Sequence, residues 1–472
     1  DMDDIKAVYS IAFHRAEMGT VRRLMSLFNY PIDDQAINID EEVSQVEKDE
    51  GIDLAENQKE AVSEAVKNGV LVITGGPGTG KTTTIKAILR LFERRGLSIL
   101  LCAPTGRAAK RMQEATGREA KTIHRLLEYG YGDKEDDMFF QKNEDSPLEA
   151  DAVIVDEVSM VDILLMNNML KAIAEGTRLV LVGDVDQLPS VGPGCVLKDI
   201  IDSNRVKVVR LDEIFRQAQE SMIVVNAHRI NKGEMPILNN RDKDFFFIRE
   251  GNPEAVIEEI KELCKERLPK YSGCDFIEGI QVLSPMKKGI CGVINLNIEL
   301  QKALNPPYIT KNERQFRDII FREGDKVMQI KNNYKMKWQS LLDPDYEGEG
   351  VFNGDMGIIN KIDNEEQYVE VLYDGDKVVK YEPSDLDELQ LSYAVTVHKS
   401  QGSEFPVLVM PVLSGPPMLM TRNLFYTALT RAKQMVVLIG RERYIHSMVR
   451  NNYVTRRYSG LKYRLLRLGK WE

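Results

Sequence analysis

One octapeptide restricts the fold of this chain more than any other feature: the run GGPGTGKT at residues 75–82. It fits the pattern G-x-x-x-x-G-K-[ST], follows an apolar run at 70–74 and opens an amphipathic stretch at 82–95. That strand-to-helix context is the one a phosphate-binding loop requires. The glycines let backbone N–H groups approach phosphate oxygens, and the helix start adds the positive end of its dipole. The motif predicts a P-loop α/β domain, and an ordinary glycine-rich turn is the alternative.

The side chains of this loop have predicted tasks. Lys81 would reach the β- and γ-phosphates of ATP, and Thr82 would ligate Mg²⁺. Nucleotide contacts are predicted for Gly76, Pro77, Gly78, Thr79, Gly80, Lys81, Thr82 and Thr83.

A carboxylate that completes a magnesium shell should end a neighbouring strand, and the apolar run 152–155 is followed by Asp156 and Glu157. Asp156 would hold Mg²⁺, and Glu157 would polarise the attacking water. One strand later, Gln187 in the run GDVDQLP could sense the γ-phosphate. Taken alone, these segments are equally consistent with a solvated strand end and an Asp-rich turn.

Apolar runs of strand length alternate with amphipathic stretches of helix length from residue 70 onward, which is typical of parallel sheets wrapped by helices. The 472 residues suit about three domains of the usual size. We predict a helical segment with an acidic connector at 1–50, a first α/β domain at 51–241 and a second at 242–472. The predicted strands are 70–74, 98–102, 152–155, 179–182 and 206–211, then 245–248, 281–284, 407–411 and 435–439.

Two insertions interrupt this alternation. A polar, glycine-bearing segment at about 128–150 predicts a projecting hairpin in the first domain. Alternating short runs at about 325–390, separated by turn residues, predict a small β-barrel in the second domain.

The net charge of −10, from 63 basic and 73 acidic residues, argues against a polyanionic partner when taken as an average. The charge is segregated, however. Residues 1–60 hold six basic and fifteen acidic residues, residues 81–125 hold eleven and three, and residues 391–472 hold thirteen and three. This segregation predicts a basic groove on an acidic particle.

Other sequence features exclude several classes of protein. The five cysteines form no C-x-x-C pair and have no histidine at ligand spacing, so neither a zinc site nor a disulfide framework is indicated. Prolines interrupt the most apolar stretch, 405–420, which excludes a spanning helix there. Nothing resembles a signal peptide, and we expect a cytoplasmic protein without a membrane partner.

Seven motifs in order resemble those of superfamily-one helicases, and their details are most similar to the RecD-like branch. They are GGPGTGKT (75–82), APTGRAA (103–109), DEVSM (156–160), GDVDQLP (183–189), FRQ (215–217), VHKSQGSE (397–404) and YTALTRA (426–432). The resemblance implies two RecA-like motor domains, with a pin hairpin in the first and an SH3-like barrel in the second. It also implies an ATP- and Mg²⁺-dependent motor that moves 5′ to 3′ on single-stranded DNA and unwinds duplex.

The resemblance assigns further nucleotide contacts. Gln58 matches the glutamine that reads adenine, and Glu404 matches a residue that contacts the nucleotide sugar. Arg216 and Arg431 match two arginines that reach the γ-phosphate from outside the loop. Without the resemblance, each arginine would be interpreted as a solvated surface residue.

DNA contacts are implied at strand ends and loops of both motors, namely at Pro104, Thr105, Arg107, Thr122, His124, Thr396 and His398. Packing or capping is the alternative role for the two histidines. In the pin, Met138, Phe139 and Phe140 are candidates for the tip or for packing onto the motor. The barrel run 334–338 could touch DNA or brace the second motor.

The leading hypothesis is therefore a monomeric, nucleoid-associated bacterial helicase that acts on single strands and junctions, with repair or recombination partners. Family members that act alone usually carry further N-terminal sequence, so we expect a trimmed N-terminus or lost partner contacts. The competing functions are a P-loop kinase, which leaves the second α/β domain unexplained, and a DNA-stimulated switch or loader that does not unwind.

Overall fold

The structure, a computed structural model, describes residues 7–32, 38–131, 138–215, 220–238, 244–453 and 457–467. The chain divides into two compact units. The first unit comprises residues 1–219 and 455–472, and the second comprises residues 220–454. Each unit is built around its own parallel sheet.

In the first unit, six parallel strands lie in the order β3-β2-β6-β7-β1-β8, and β4 and β5 form a separate antiparallel hairpin. Buried apolar residues fill the central strands, so helices cover both faces of the sheet. The strands are β1 Val70–Gly75, β2 Ile99–Ala103, β3 Ala120–Thr122, β4 Tyr129–Tyr131, β5 Met138–Phe140, β6 Ala152–Val155, β7 Arg178–Gly183 and β8 Lys207–Leu211.

The first eight helices belong to this unit, together with a 3-10 turn at Val158–Met160. They are α1 Ile11–Asn29, α2 Ile39–Glu50, α3 Glu56–Lys67, α4 Lys81–Arg94, α5 Gly106–Thr116, α6 Ile123–Leu126, α7 Ile163–Lys171 and α8 Val196–Ser203.

The predicted acidic connector is wrong as a description of residues 39–50, because these residues form helix α2. Its apolar positions Val43 and Val46 are buried in the core beneath α3 and α4. Its acidic face meets the arginines near the end of α4. Glu42 accepts hydrogen bonds from Arg95 Nε at 3.0 Å and Nη2 at 2.7 Å.

In the second unit, five parallel strands lie in the order β20-β10-β21-β22-β9. The strands of this unit are β9 Phe245–Arg249, β10 Ile280–Ser284, β11 Glu313–Phe316, β12 Ile319–Arg322, β13 Lys326–Gln329, β14 Asn333–Ser340, β15 Glu347–Val351, β16 Met356–Asp363, β17 Tyr368–Tyr373, β18 Lys377–Tyr381, β19 Leu389–Leu391, β20 Ala394–Thr396, β21 Phe405–Val412 and β22 Ala432–Gly440.

Its helices are α9 Met222–Asn231, α10 Pro253–Glu262, α11 Leu268–Ser272, α12 Phe276–Gly279, α13 Val293–Leu304, α14 Arg422–Leu429 and α15 Glu442–Arg450. A π-helical turn at Leu263–Arg267 and 3-10 turns at Leu386–Glu388 and Val397–Ser400 complete the unit.

The domain boundaries differ from the predicted ones at both ends of this unit. Helix α9 packs against α14 and β22, so the unit begins near residue 220 and not at 242. A last helix, α16 (Leu461–Arg467), packs against α1 and α8, so the chain returns to the first unit before residue 472. Neither pairing has a local sequence signal.

The seven-stranded sheet of the barrel insertion runs from Lys326 to Leu391, close to the predicted bounds of about 325–390, and a separate two-stranded sheet of β11 and β12 precedes it. Seven antiparallel strands lie in the order β15-β14-β18-β17-β16-β13-β19. The buried carboxylate of Asp325 joins the insertion to the unit, accepting hydrogen bonds from Gln301 at 2.6 Å, Asn305 at 2.8 Å and Tyr393 at 2.8 Å. In the described part of the chain, none of the helices has the length and apolar character needed to cross a bilayer.

Candidate functional site

The order of the first sheet brings the predicted motifs to one edge. Strands β6, β7 and β1 are neighbours, and they end at Val155, Gly183 and Gly75. Because all three are parallel, Asp156, Asp184 and the phosphate loop follow them at the same carboxyl edge. Ligands bind at this edge in open α/β sheets.

The phosphate loop adopts left-handed backbone conformations that glycine allows. Gly80 has a φ of +78°, and a Cβ there would lie 2.3 Å from Gln58 Nε2. Lys81 Nζ donates to the carbonyls of Gly75 at 2.7 Å and Gly76 at 3.0 Å, so its ammonium lies over the loop. Thr79 Oγ1 also donates to the Gly76 carbonyl, at 2.9 Å.

Gln58 lies beside this loop, as its predicted role requires, but both ends of its amide have partners within the chain. Its Nε2 donates to the Gly80 carbonyl at 3.1 Å, and its Oε1 accepts from the Ala55 amide at 3.0 Å. The side chain is buried. Contact with adenine would therefore require an exchange of these hydrogen bonds.

Asp156 and Glu157 form a carboxylate pair at the end of β6. Burial raises the pKa of Asp156 to about 6, and the neighbouring Glu157 charge acts in the same direction. Arg111 and Lys81 oppose this shift. The half-buried Asp156 carboxylate, whose charge interacts with Lys81, and the exposed Thr82 hydroxyl are hard oxygen donors of the kind that Mg²⁺ prefers, so these residues fit the metal.

Glu157 is held in an unusual conformation. Its φ of +53° is left-handed, and its amide donates to Asp156 Oδ1 at 2.7 Å. Arg111 Nη2 of α5 donates to Glu157 Oε1 at 3.2 Å. Arg111 could not be identified from the sequence, because one arginine in an amphipathic helix gives no local signal of a partner 46 residues away.

Asp184 is a second residue that the sequence analysis passed over. Its Oδ2 accepts from Gln187 Nε2 at 3.1 Å, and its Oδ1 accepts from the Asp186 amide at 3.0 Å. These contacts fix the buried Gln187 amide at the end of β7, beside β1 and β6. Asp184, like Asp156, directly follows an apolar strand, and this position was a sequence signal that could have identified it.

The predicted DNA contacts of the first unit follow β2 and β3, which continue the same sheet edge away from the phosphate loop. Thr105 accepts the Ala108 amide at 3.3 Å and begins α5, and Thr122 accepts the Arg125 amide at 3.1 Å and begins α6. In the second unit Thr396 follows the same plan at the end of β20, accepting the Lys399 amide at 3.3 Å. All three threonines cap a helical turn.

The two predicted histidines differ in environment. His124 is half-buried, with ring centroids 5.6 Å from Tyr129 and 5.8 Å from Phe140, and burial lowers its pKa. Phe140 thus packs toward the motor, which is the alternative predicted for it. The side chains of Met138 and Phe139 lie outside the described residues. His398 is exposed, whereas Pro104 and Arg107 are half-buried.

Arg431 is buried in the second unit. It lies just before the start of a strand, whereas Asp156 and Asp184 lie just after the ends of their strands. It precedes β22, where its Nη1 donates to the Ser403 carbonyl at 3.3 Å. Glu404 precedes β21 and pairs with Lys433 at 3.1 Å. Arg216 lies outside the described residues.

Three arginines of the basic stretch at 81–125 form ion pairs within the first unit. Arg90, Arg94 and Arg95 pair with Glu50, Asp49 and Glu42 of helix α2. The acidic N-terminal segment therefore neutralises part of the basic stretch at 81–125. Simple counts of charge along the chain could not show this pairing.

Three family models match the chain. They are described as an AAA domain, matching residues 58–193, an ATP-dependent RecD-like DNA helicase SH3 domain, matching 296–373, and a UvrD-like helicase C-terminal domain, matching 391–439. The SH3 match confirms the predicted insertion, although it begins earlier than predicted.

Known proteins resemble the chain over most of its length. The ATP-dependent RecD2 DNA helicase of Deinococcus radiodurans is 36% identical over 381 residues, which cover 80% of this chain and 48% of that protein. The chain thus spans about half of that relative. The RecBCD enzyme subunit RecD of Mycolicibacterium smegmatis is 30% identical over 446 residues, covering 87% of this chain and 75% of that protein.

A crystal structure of the Pif1 helicase from Bacteroides, in complex with ADP-AlF3 and ssDNA, shares the fold. It covers 89% of this chain and 98% of its own, with 18% identity and a TM-score of 0.50. Together with the two motor-type sheets and the SH3-like insertion, the sequence relationships establish that the chain belongs to the RecD-like family of superfamily-one helicases.

Proposed function

We propose that this chain is an ATP-driven motor that moves 5′ to 3′ along single-stranded DNA and unwinds duplex at junctions, in DNA repair or recombination. The observation that carries the proposal is the shared sheet edge of the first unit. There, the phosphate loop and the carboxylates of β6 and β7 adjoin the strand ends that carry the predicted DNA contacts. Membership of the RecD-like family supports the proposed direction of movement.

In the proposed reaction, a water oxygen bonds to the γ-phosphorus of ATP while the bond to the bridging oxygen breaks, releasing ADP. Glu157 orients this water and accepts its proton. Lys81 holds the phosphates, and the buried Gln187 contacts the γ-phosphate. Thr82 and Asp156 would hold Mg²⁺, which when bound neutralises phosphate charge.

The second unit contributes an arginine. Arg431 is a delocalised cation that is already partly desolvated, and we propose that it stabilises charge on the γ-phosphate in the transition state. A residue on one unit that is needed for chemistry on the other couples hydrolysis to movement. The exposed His398 and the capping Thr396 would contact the DNA backbone.

Two measurements test this proposal. ATP turnover is measured with and without oligo-dT, and we expect strong stimulation by the oligonucleotide. Turnover that does not respond to DNA would contradict a nucleic-acid motor.

Forked duplexes with only a 5′ or only a 3′ tail then test the direction of movement, and we expect unwinding from the 5′ tail. Stimulated turnover without unwinding of either fork would instead identify a DNA-dependent switch or loader.

A further inference from the structure

We propose that Arg111 restrains Glu157 until nucleic acid engages the start of helix α5, so that this one ion pair couples DNA contact to ATP hydrolysis. The inference rests on the proposed function. Its basis is a contact within the first unit: Arg111 Nη2 lies 3.2 Å from Glu157 Oε1. The side chains are only 27% and 8% exposed, so water screens this pair weakly.

The sheet order explains why an arginine of α5 reaches this carboxylate. Helix α5 follows β2, Glu157 follows β6, and β2 and β6 are adjacent parallel strands. The buried face of α5, including Ala108 and Met112, holds the helix against the sheet. Arg111 therefore extends from the element that follows the DNA-contact motif to the element that carries the proposed catalytic base.

The same helix begins at the predicted DNA contacts. Thr105 is its N-cap, and Arg107 lies four residues before Arg111. Residues four apart project from the same side of a helix, about 6 Å apart along its axis. A phosphate drawn to Thr105 and Arg107 would therefore place negative charge one helical turn from Arg111, where it competes with Glu157 for the guanidinium.

The ion pair with Arg111 limits what the Glu157 carboxylate can do in ATP hydrolysis. The Arg111 guanidinium donates to an oxygen of Glu157 that would otherwise bind the attacking water, so the paired carboxylate is less able to orient that water. The left-handed backbone at Glu157 and the 3-10 turn Val158–Met160 that follows fix the root of the side chain. Release by Arg111 would then free the carboxylate to orient water without a large movement of the backbone.

The test replaces Arg111 and compares turnover without and with oligo-dT. In Arg111→Gln, we expect DNA-independent turnover to rise at least threefold and the stimulation factor to fall at least threefold. Arg111→Lys keeps the charge but lacks the planar fork, and should give intermediate values. It also serves as the informative variant if Arg111→Gln does not fold. The matched control is Arg118→Gln, which removes the same charge just beyond α5, where Arg118 pairs with Glu93 on the surface.

Unchanged or lower DNA-independent turnover in the Arg111 variants would overturn the inference, because an arginine that merely positions Glu157 would be needed for basal activity as well. If wild-type turnover is absent or insensitive to DNA, the proposed function fails instead. The two failures are thus distinguished by the wild-type protein alone.

A binding measurement supplies a readout independent of turnover. Coupling between two ligands is reciprocal, so a non-hydrolysable ATP analogue should change the affinity of the wild type for labelled oligo-dT. Fluorescence anisotropy gives the ratio of the two dissociation constants. We expect this ratio to approach one in Arg111→Gln and to keep its wild-type value in Arg118→Gln. A wild-type ratio in Arg111→Gln would contradict a coupling role.

Discussion

The two units use the same kind of parallel sheet, yet their strand ends carry different chemistry. In the first unit, β1, β6 and β7 lead into the phosphate loop, Asp156 and Asp184. In the second, the interior strands β21 and β22 are instead preceded by Glu404 and Arg431. The same kind of sheet holds the loops in place in both units, and the residues of those loops determine which edge of the sheet carries the chemistry. Polar capping at the ends of β2, β3 and β20 is the feature that both units share.

The largest expected effect tests whether the second unit takes part in chemistry. Replacing Arg431 by Gln should lower ATP turnover by about 10³–10⁵, the range found for arginines that stabilise phosphoryl transfer. Binding of a fluorescent ATP analogue should change only a few-fold. Arg443→Gln is the control, because Arg443 is an exposed arginine of the same unit that stacks on Tyr444. Turnover that survives in Arg431→Gln would confine the chemistry to the first unit.

A smaller loss is expected when the phosphate loop itself is changed. Lys81→Ala should lower turnover by about 10²–10³, the cost of removing one preorganised donor, and should also weaken nucleotide binding. Binding of oligo-dT should persist. Lys86→Ala, five residues further along the same helix, is the control and should remain near the wild type. Normal ATP turnover by Lys81→Ala would show that the Lys81 ammonium does not contribute to catalysis.

The central strands and the phosphate loop were predictable because both are local patterns. Of the predicted strands, 152–155 matches the observed bounds, and the others agree to within a few residues. The edge strands β3 and β20 were missed because three residues are too short for a periodicity. The pairing of α16 with α1 joins residues more than 400 positions apart, and no local rule encodes it.

The sequence could locate the site residues that belong to a motif, but it could not show which other residues their side chains contact. Lys81 and Asp156 lie where the motif requires them. The contacts of Arg111 with Glu157, and of His124 with Phe140, depend on which helices the sheet order brings together. The charge segments show the same limit, since α2 and α4 pair their opposite charges and remove part of the predicted basic surface.

That pairing allows a comparison of stability between the units. The Arg95–Glu42 pair of the first unit is only 13% and 16% exposed, whereas the Arg249–Glu442 pair of the second is 62% and 53% exposed. Arg95→Gln should therefore cost about 1.5–3 kcal/mol of unfolding free energy, the usual range for a hydrogen bond to a charged group. Arg249→Gln should cost between about 0 and 1 kcal/mol. Urea unfolding followed by circular dichroism measures both, and equal losses would show that burial does not distinguish the pairs.

The smallest effect concerns the two histidines that occupy similar motif positions. Burial holds the pKa of His124 below its ordinary value, so the unfolded chain takes up a proton first as the pH falls through about 6.5. Stability from His124 is thus present above that pH and declines below it. His124→Gln should reduce the loss of stability between pH 7.5 and pH 5, and it should do so by less than the effect of Arg95→Gln. His398→Gln is the control, because its imidazole is exposed. Parallel pH profiles for wild type and His124→Gln would show that the packing against Tyr129 and Phe140 does not favour the neutral ring.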